Sequence, residues 1–167
     1  TTLTANNFVA SSRANLGAVG NVYIGGGNSG EILTTNGSGV LSWSNTITTT
    51  GNVTVGNIIA SGYHIRSVAT GITALGTTQA NAFALTKEFN LVTVVSSGTG
   101  VALPTAVAGM AITVINKGSN ELNVYPAVNA AINSASANAA YSQPVNGTIQ
   151  YIALTTSQWY TVGGTYA

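Results

Sequence analysis

Short runs of β-favouring residues, interrupted every few positions by Gly, Asn, Ser or Pro, are the feature that most restricts the fold of this chain. In the second half these runs are regular and alternate with clusters of turn-forming residues. Such spacing is typical of an all-β sandwich or barrel. We predict strands at Asn90–Ser96, Val101–Leu103, Ala111–Asn116, Leu122–Tyr125, Ala131–Asn133, Ala140–Gln143, Thr148–Leu154 and Gln158–Val162.

The first part of the chain is built from shorter units that recur. The sequence GNVYIG at Gly20–Gly25 returns as GNVTVG at Gly51–Gly56, and NNFVAS at Asn6–Ser11 is similar to GNIIASG at Gly56–Gly62. Units this short bury no core of their own, so they must stack on neighbouring units or on other chains.

A hairpin and a domain division are predicted from turn residues and from the density of apolar runs. Ile32–Thr35 and Val40–Trp43 flank an Asn-Gly sequence, which is a strong hairpin signal. Residues 1–70 are therefore predicted to be an extended, repeat-bearing stalk or attachment region with a hairpin at 32–43. Residues 71–167 are predicted to form a small antiparallel β-sandwich or barrel. His64–Gly76 is interpreted as a connector, and Asn81–Phe89 as a helical turn.

Gly25, Gly27 and Gly30 have the G-x-G-x-x-G spacing of a dinucleotide-binding loop. That loop requires a helix after it and an acidic residue about 20 positions further on. The sequence that follows has no helical period, and no acidic residue lies between Glu31 and Glu88. We therefore interpret these glycines as turn residues and predict no cofactor.

Charge is scarce along the whole chain. Four Lys or Arg residues and three Glu residues make up 4% of 167 residues, where a soluble domain usually has about 25%. The formal net charge of +1 provides no field for nucleic acid or for an anionic membrane. A nearly uncharged protein tends to associate. We therefore expect a stable oligomer or a subunit of a larger assembly.

Catalytic residue types are few and widely spaced. His64 is the only histidine, and Glu31, Glu88 and Glu121 are the only acidic residues. A Ser-His-Glu triad assembles in space, so spacing leaves it open, but no G-x-S-x-G sequence supports it. Near a three-fold axis, three copies of His64 would be able to bind an ion. The sequence favours a protein without enzymatic activity.

Large side chains at four positions are predicted to pack between chains. Trp43 ends the hairpin and needs cover from a neighbouring chain or the next unit. Ile58 lies in a repeat unit, and Tyr125 and Trp159 belong to an aromatic group in the second half. That group is interpreted as core and subunit contacts, with a sugar-binding platform as the alternative.

Two parts of the chain resemble proteins of tailed-bacteriophage particles. The sequence ANLGAVGNVYIGGGNSGEILTTNGSGVLSWS is similar to repeats in fibre proteins of marine and cyanobacterial phages. From ITALGTTQ onward, GVALPTAVAG, VINKGSNELNVYP and QWY resemble a small β domain of phage virion proteins. The resemblance implies a trimeric, β-rich, non-enzymatic component of the virion surface, assembled in the host cytoplasm.

The resemblance also implies the partners of such a protein. A chain that is complete after removal of an initiator Met would suit a capsid decoration protein or head fibre, held by the major capsid protein or another virion protein. The alternative is a segment of a tail fibre that binds a host surface glycan or receptor. Either role implies an intertwined homotrimer.

Overall fold

The structure is a computed structural model that describes residues 24–38 and 40–162. The chain divides into two units, Thr1–Ile59 and Ala60–Ala167, and each is described here by itself. The predicted repeats at Asn6–Ser11 and Gly20–Gly25 lie wholly or largely outside the described residues. Among the described residues there are strands and one short 3₁₀ helix but no α-helix, so the predicted all-β class is confirmed.

The described part of the first unit contains one antiparallel hairpin. Strand β1, Ile32–Thr35, pairs with β2, Leu41–Ser44, in the register Ile32↔Ser44 to Thr35↔Leu41. The loop is closed by the Asn36 amide, which donates to the Val40 carbonyl oxygen at 3.2 Å. Paired residues share a face in an antiparallel ladder. Leu33, Thr35, Leu41 and Trp43 therefore lie on one face, while Thr34 and Ser42 hydrogen-bond to each other on the opposite face.

Over its described residues, 60–162, the second unit has ten strands in two sheets. The strands are β3 (Val68–Thr73), β4 (Phe83–Ala84), β5 (Phe89–Val94), β6 (Gly100–Ala102), β7 (Ala111–Asn116), β8 (Leu122–Tyr125), β9 (Ala131–Ile132), β10 (Tyr141–Gln143), β11 (Thr148–Ala153) and β12 (Gln158–Val162). Their order is β3-β5-β7-β11-β12-β9 in a six-stranded sheet and β10-β8-β6-β4 in a four-stranded sheet.

From β3 to β8 the chain alternates between the two sheets, and successive strands within each sheet are parallel. Each passage through both sheets forms one coil of a solenoid-like stack. Val68 pairs with Phe89, and Phe89 pairs with Thr113. This spacing of roughly 20 residues is in the range of known solenoid repeats.

The later strands end this stack with antiparallel pairs, apart from β9, which pairs in parallel with β12. Strand β10 pairs with β8, and β11 pairs with β7 and β12. Alternate residues of β11, namely Ile149, Tyr151 and Ala153, are buried, as expected for a strand with one face on the core. They join a single apolar cluster with residues of both sheets, among them Val101 and Val124.

Three parts of the predicted fold are corrected. The antiparallel arrangement is wrong for the coils from β3 to β8, which are parallel. The predicted connector contains the edge strand β3, and Gly71 at φ +69° lies at an irregularity in its pairing. The predicted helical turn, Asn81–Phe89, shares only Asn81 with a 3₁₀ helix, Gln79–Asn81, and otherwise includes β4 and the first residue of β5. The domain division at residue 70 stays a prediction, and the second unit of the structure begins at Ala60.

Candidate functional site

The glycine-rich segment before the hairpin packs on a tryptophan. The indole Nε1 of Trp43 donates a hydrogen bond to the Gly25 carbonyl oxygen at 3.1 Å. A Cβ atom on Gly27 would collide with the Trp43 ring, so only glycine permits this approach. After Gly30, at φ +88°, the chain enters β1, whereas a phosphate-binding loop leads into a helix. Gly25 and Gly27 thus contact Trp43, whereas Gly30 supplies a turn with positive φ and touches nothing there.

Trp43 is half-buried by its own chain. Its partner across the hairpin, Leu33, is 37% exposed, and Leu41 on the same face is 55% exposed. A two-stranded hairpin alone is marginally stable in water. The apolar face of this hairpin therefore keeps surface that another chain would be able to cover, and interchain packing of Trp43 stays a prediction.

Two of the four predicted interchain residues lie inside the second unit. Trp159 has no exposed surface, and Tyr125 is nearly buried, with its hydroxyl donating to the Thr77 carbonyl oxygen at 3.0 Å. The ring of Tyr125 also lies against Gly100, where a Cβ atom would be too close to it. The prediction of interchain packing is corrected at these positions, because Trp159 leaves no surface, and Tyr125 very little, for a second chain.

Ile58 belongs to a long exposed segment. Residues 45–67 contain neither helix nor strand, and every residue of the segment is exposed. Ile59, Tyr63 and Ile65 are 95%, 98% and 96% exposed. Ile58 is 69% exposed. Its packing between chains stays a prediction, and it has the free surface that such packing requires.

Ile59, Tyr63 and Ile65 were not among the residues predicted to pack between chains. Scattered exposed apolar residues are ordinary on protein surfaces, whereas a contiguous group of them indicates an interaction site. A signal for the group was present, since apolar residues in this stretch come singly or in pairs between glycines and never form a run long enough for a buried strand.

Each of the three acidic side chains bonds to a different partner. Glu31 accepts from the Asn28 backbone amide, and Glu121 accepts from the Ser142 hydroxyl at 3.0 Å. Glu88 forms an ion pair of 2.9 Å with Arg66, whose guanidinium carbon lies 5.9 Å from the centre of the Phe89 ring. His64 is exposed. In the part of the chain that the structure describes, no three metal-ligating side chains come together.

Two shallow cavities lie on the second unit. One, of about 330 Å³, is lined by Ser97, Gly98, Asn120, Glu121 and Asn123. The other, of about 440 Å³, includes Lys87, Glu88 and Met110 in its lining. Each lining contains a single carboxylate, whereas glycoside hydrolysis uses a pair.

Comparison of this chain with protein-family models, with curated proteins and with solved structures found no match. Over residues 24–38 and 40–162, the structure has no helix that is long and apolar enough to cross a membrane.

Proposed function

We propose that this chain is a non-enzymatic structural protein on the outside of a tailed-phage particle, acting as a capsid decoration protein or head fibre. The observation that carries the proposal is the contrast between the two sheets that follow Val68, which enclose a core, and residues 45–67, whose apolar side chains are exposed. The resemblance of both parts to phage virion proteins gives the class of particle.

The exposed segment supports association in place of catalysis. Full burial of an Ile or Val side chain contributes about 1.5–3 kcal/mol. Ile47, Val53, Val55, Ile58 and Ile59 each have a large exposed fraction in the single chain. Their burial against other chains would therefore stabilise an assembly strongly, which favours an extended stalk whose core forms between copies.

The charge pattern favours copies of the same chain as the partner. Residues 32–63 contain no charged side chain. In a symmetric homomer each residue near the axis meets its own copies, so a charge there would face the same charge. A neutral, apolar segment meets no such repulsion, and we infer an intertwined homotrimer. The second unit, with its two sheets, would be the knob that this assembly displays.

One observation favours the alternative, a tail-fibre segment that binds a host receptor. The smaller cavity presents the polar side chains of Asn120, Asn123, Ser97 and Glu121. Amide, hydroxyl and carboxylate groups are suited to hydrogen-bond the hydroxyls of a surface glycan. The neighbouring bonds from Asn120 to Val95 and from Asn123 to Gly98 hold two of these side chains in place.

Cryo-electron microscopy of the intact particle tests both roles. Density for the two-sheet unit at regular positions on the capsid lattice is expected for a decoration protein or head fibre. Density at the tail supports the alternative. Particles without this density at either place would exclude a virion structural role.

A further inference from the structure

Two Asn-Gly sequences have similar neighbours in the sequence and different surroundings in the structure. Asn36 is followed by Gly and Ser, and Asn146 is followed by Gly and Thr. Asn-Gly is the sequence at which the backbone amide of the glycine most readily attacks the preceding side-chain amide, because glycine has no Cβ to obstruct the approach. A difference in reactivity between these positions would therefore come from the fold.

The hairpin loop holds Asn36 in an arrangement that assists this attack. Its Oδ1 accepts hydrogen bonds from the Ser38 and Val40 backbone amides at 2.9 and 3.2 Å. Negative charge develops on that oxygen during attack, and fixed amide donors stabilise such charge. The Gly37 N–H donates to Thr35 Oγ1 at 3.2 Å. This exposed hydroxyl can pass the proton to water.

Asn146 lies in a rigid turn that opposes the same reaction. The Gly147 amide donates to the Pro144 carbonyl oxygen at 3.0 Å, and Gly147 is buried. The Gly147 carbonyl oxygen accepts from Gln143 Nε2 and from the Asn116 amide, each at 2.9 Å. Attack would require the Gly147 nitrogen to leave this network. The bond from Lys117 to Asn146 Oδ1, at 3.2 Å, would by itself assist the attack, but it does not free the nitrogen.

We propose that Asn36 is a site of spontaneous deamidation and that the fold protects Asn146. The Gly37 nitrogen forms a bond to Asn36 Cγ while its proton passes through Thr35 Oγ1 to water. The Cγ–Nδ2 bond then breaks, and Nδ2 leaves as ammonia after taking up a proton from water. Water opens the resulting cyclic imide to aspartate or isoaspartate at position 36, and no oxidant or reductant is consumed.

The modification places a new negative charge in the uncharged stretch of residues 32–63. Where isoaspartate forms, the backbone gains a methylene group, and the contacts of Oδ1 with Ser38 and Val40 are displaced. The chemistry needs Thr35 open to water, as it is in the single chain; because Thr35 shares a hairpin face with Trp43, cover of that face by another chain would slow amide loss at Asn36. The effect of the modification on association, a repulsion between like charges at neighbouring hairpins, rests on the proposed function.

The test is a time course of the full-length protein at mildly alkaline pH, with and without urea. Amide loss is measured by mass spectrometry of peptides that contain each position. In the native protein we expect Asn36 to react at least roughly tenfold faster than Asn146, a ratio equivalent to about 1.4 kcal/mol in barrier height. In urea the ratio should approach one. Equal native rates, or a ratio that persists in urea, would overturn the proposal.

A pair of adjacent threonines provides the control. Thr35→Val removes the acceptor of the Gly37 N–H and should slow amide loss at Asn36 several-fold. Thr34→Val removes a hydroxyl that bonds to Ser42 on the other face of the hairpin and should leave the rate unchanged. Equal rates for the two variants would overturn the role of Thr35. The native mass of the same samples reports separately on the oligomer.

Discussion

The exposed segment of residues 45–67 and the coils from β3 to β8 use the same residue types to opposite effect. Both are rich in Val, Ile, Thr, Asn and Gly. In the coils, runs of alternating residues are long enough to pair with the next coil and bury one face, as Val92 and Val114 do completely. In the segment, glycines at positions 51, 56 and 62 interrupt the apolar residues every five or six positions, and no residue belongs to a strand. The difference shows that residue composition alone does not decide whether a stretch packs within its own chain, because packing also requires a neighbouring strand to pair with.

The largest expected effect comes from adding a charge to the exposed segment. Ile59→Asp should dissociate the proposed homotrimer, because burying an unpaired carboxylate costs several kcal/mol. Native mass spectrometry should give the mass of three chains for the unaltered protein and of one chain for the variant. Val128→Asp is the control, since Val128 is also largely exposed but lies in the second unit. A single-chain mass for the unaltered protein would contradict the trimer.

The next largest effect is a difference between the two tryptophans in how far their loss destabilises the second unit. Trp159→Ala should lower the free energy of unfolding of the second unit by about 3–5 kcal/mol, because it opens a cavity in the core. Trp43→Ala should leave that transition unchanged, since Trp43 packs on Gly27 in the first unit. Urea unfolding followed by circular dichroism measures both. A large shift for Trp43→Ala would mean that the two units unfold together.

A buried hydroxyl gives a smaller effect within the core. Tyr151 donates to Gln143 Oε1 at 3.0 Å, while Gln143 Nε2 bonds the Val114 and Gly147 carbonyl oxygens. Tyr151→Phe should cost about 1–3 kcal/mol, because the buried Oε1 loses this donor. The same urea titration should show almost no change for Tyr160→Phe, since Tyr160 is 44% exposed. Equal changes in unfolding free energy for the two variants would show that the Tyr151–Gln143 hydrogen bond does not stabilise the core.

The smallest effect is local to the first unit. Gly27→Ala should displace the Trp43 ring at a cost of about 1–3 kcal/mol to the hairpin. The indole N–H resonance of Trp43 should move in NMR spectra, because its bond to Gly25 is disturbed. Gly56→Ala is the matched control, since a Cβ atom there meets nothing within 4 Å. An unchanged indole resonance in Gly27→Ala would show that Trp43 does not rest on this glycine in solution.

Several strands were predictable because their cause is local. The bounds of β7, β8 and β12 coincide with the predicted ranges, since alternation and flanking turn residues define them within a few positions. The hairpin is equally local. Strand β3 was missed because it is an edge strand whose alternation is interrupted at Gly71, and β4 was missed because it has only two residues.

The candidate site was predictable only in part, because some of its contacts join residues that are far apart in the sequence. The prediction that Trp43 and Ile58 pack against a partner rests on their size and position in the sequence. Trp159 is buried within its own chain because β12, which carries it, pairs with β11 on one side and β9 on the other. The sequence does not show this pairing. The role of Gly27 also required the tertiary structure, because Trp43 lies far from it along the chain.

The sequence by itself determined the all-β class, the low charge and the positions of most strands in the second unit, because these depend on residue type and short-range spacing. The tertiary structure decided that the coils are parallel, since alternation of buried residues is the same in parallel and antiparallel strands. It also decided which large side chains are buried in the chain and which stay exposed. That distinction depends on contacts between residues far apart in the sequence.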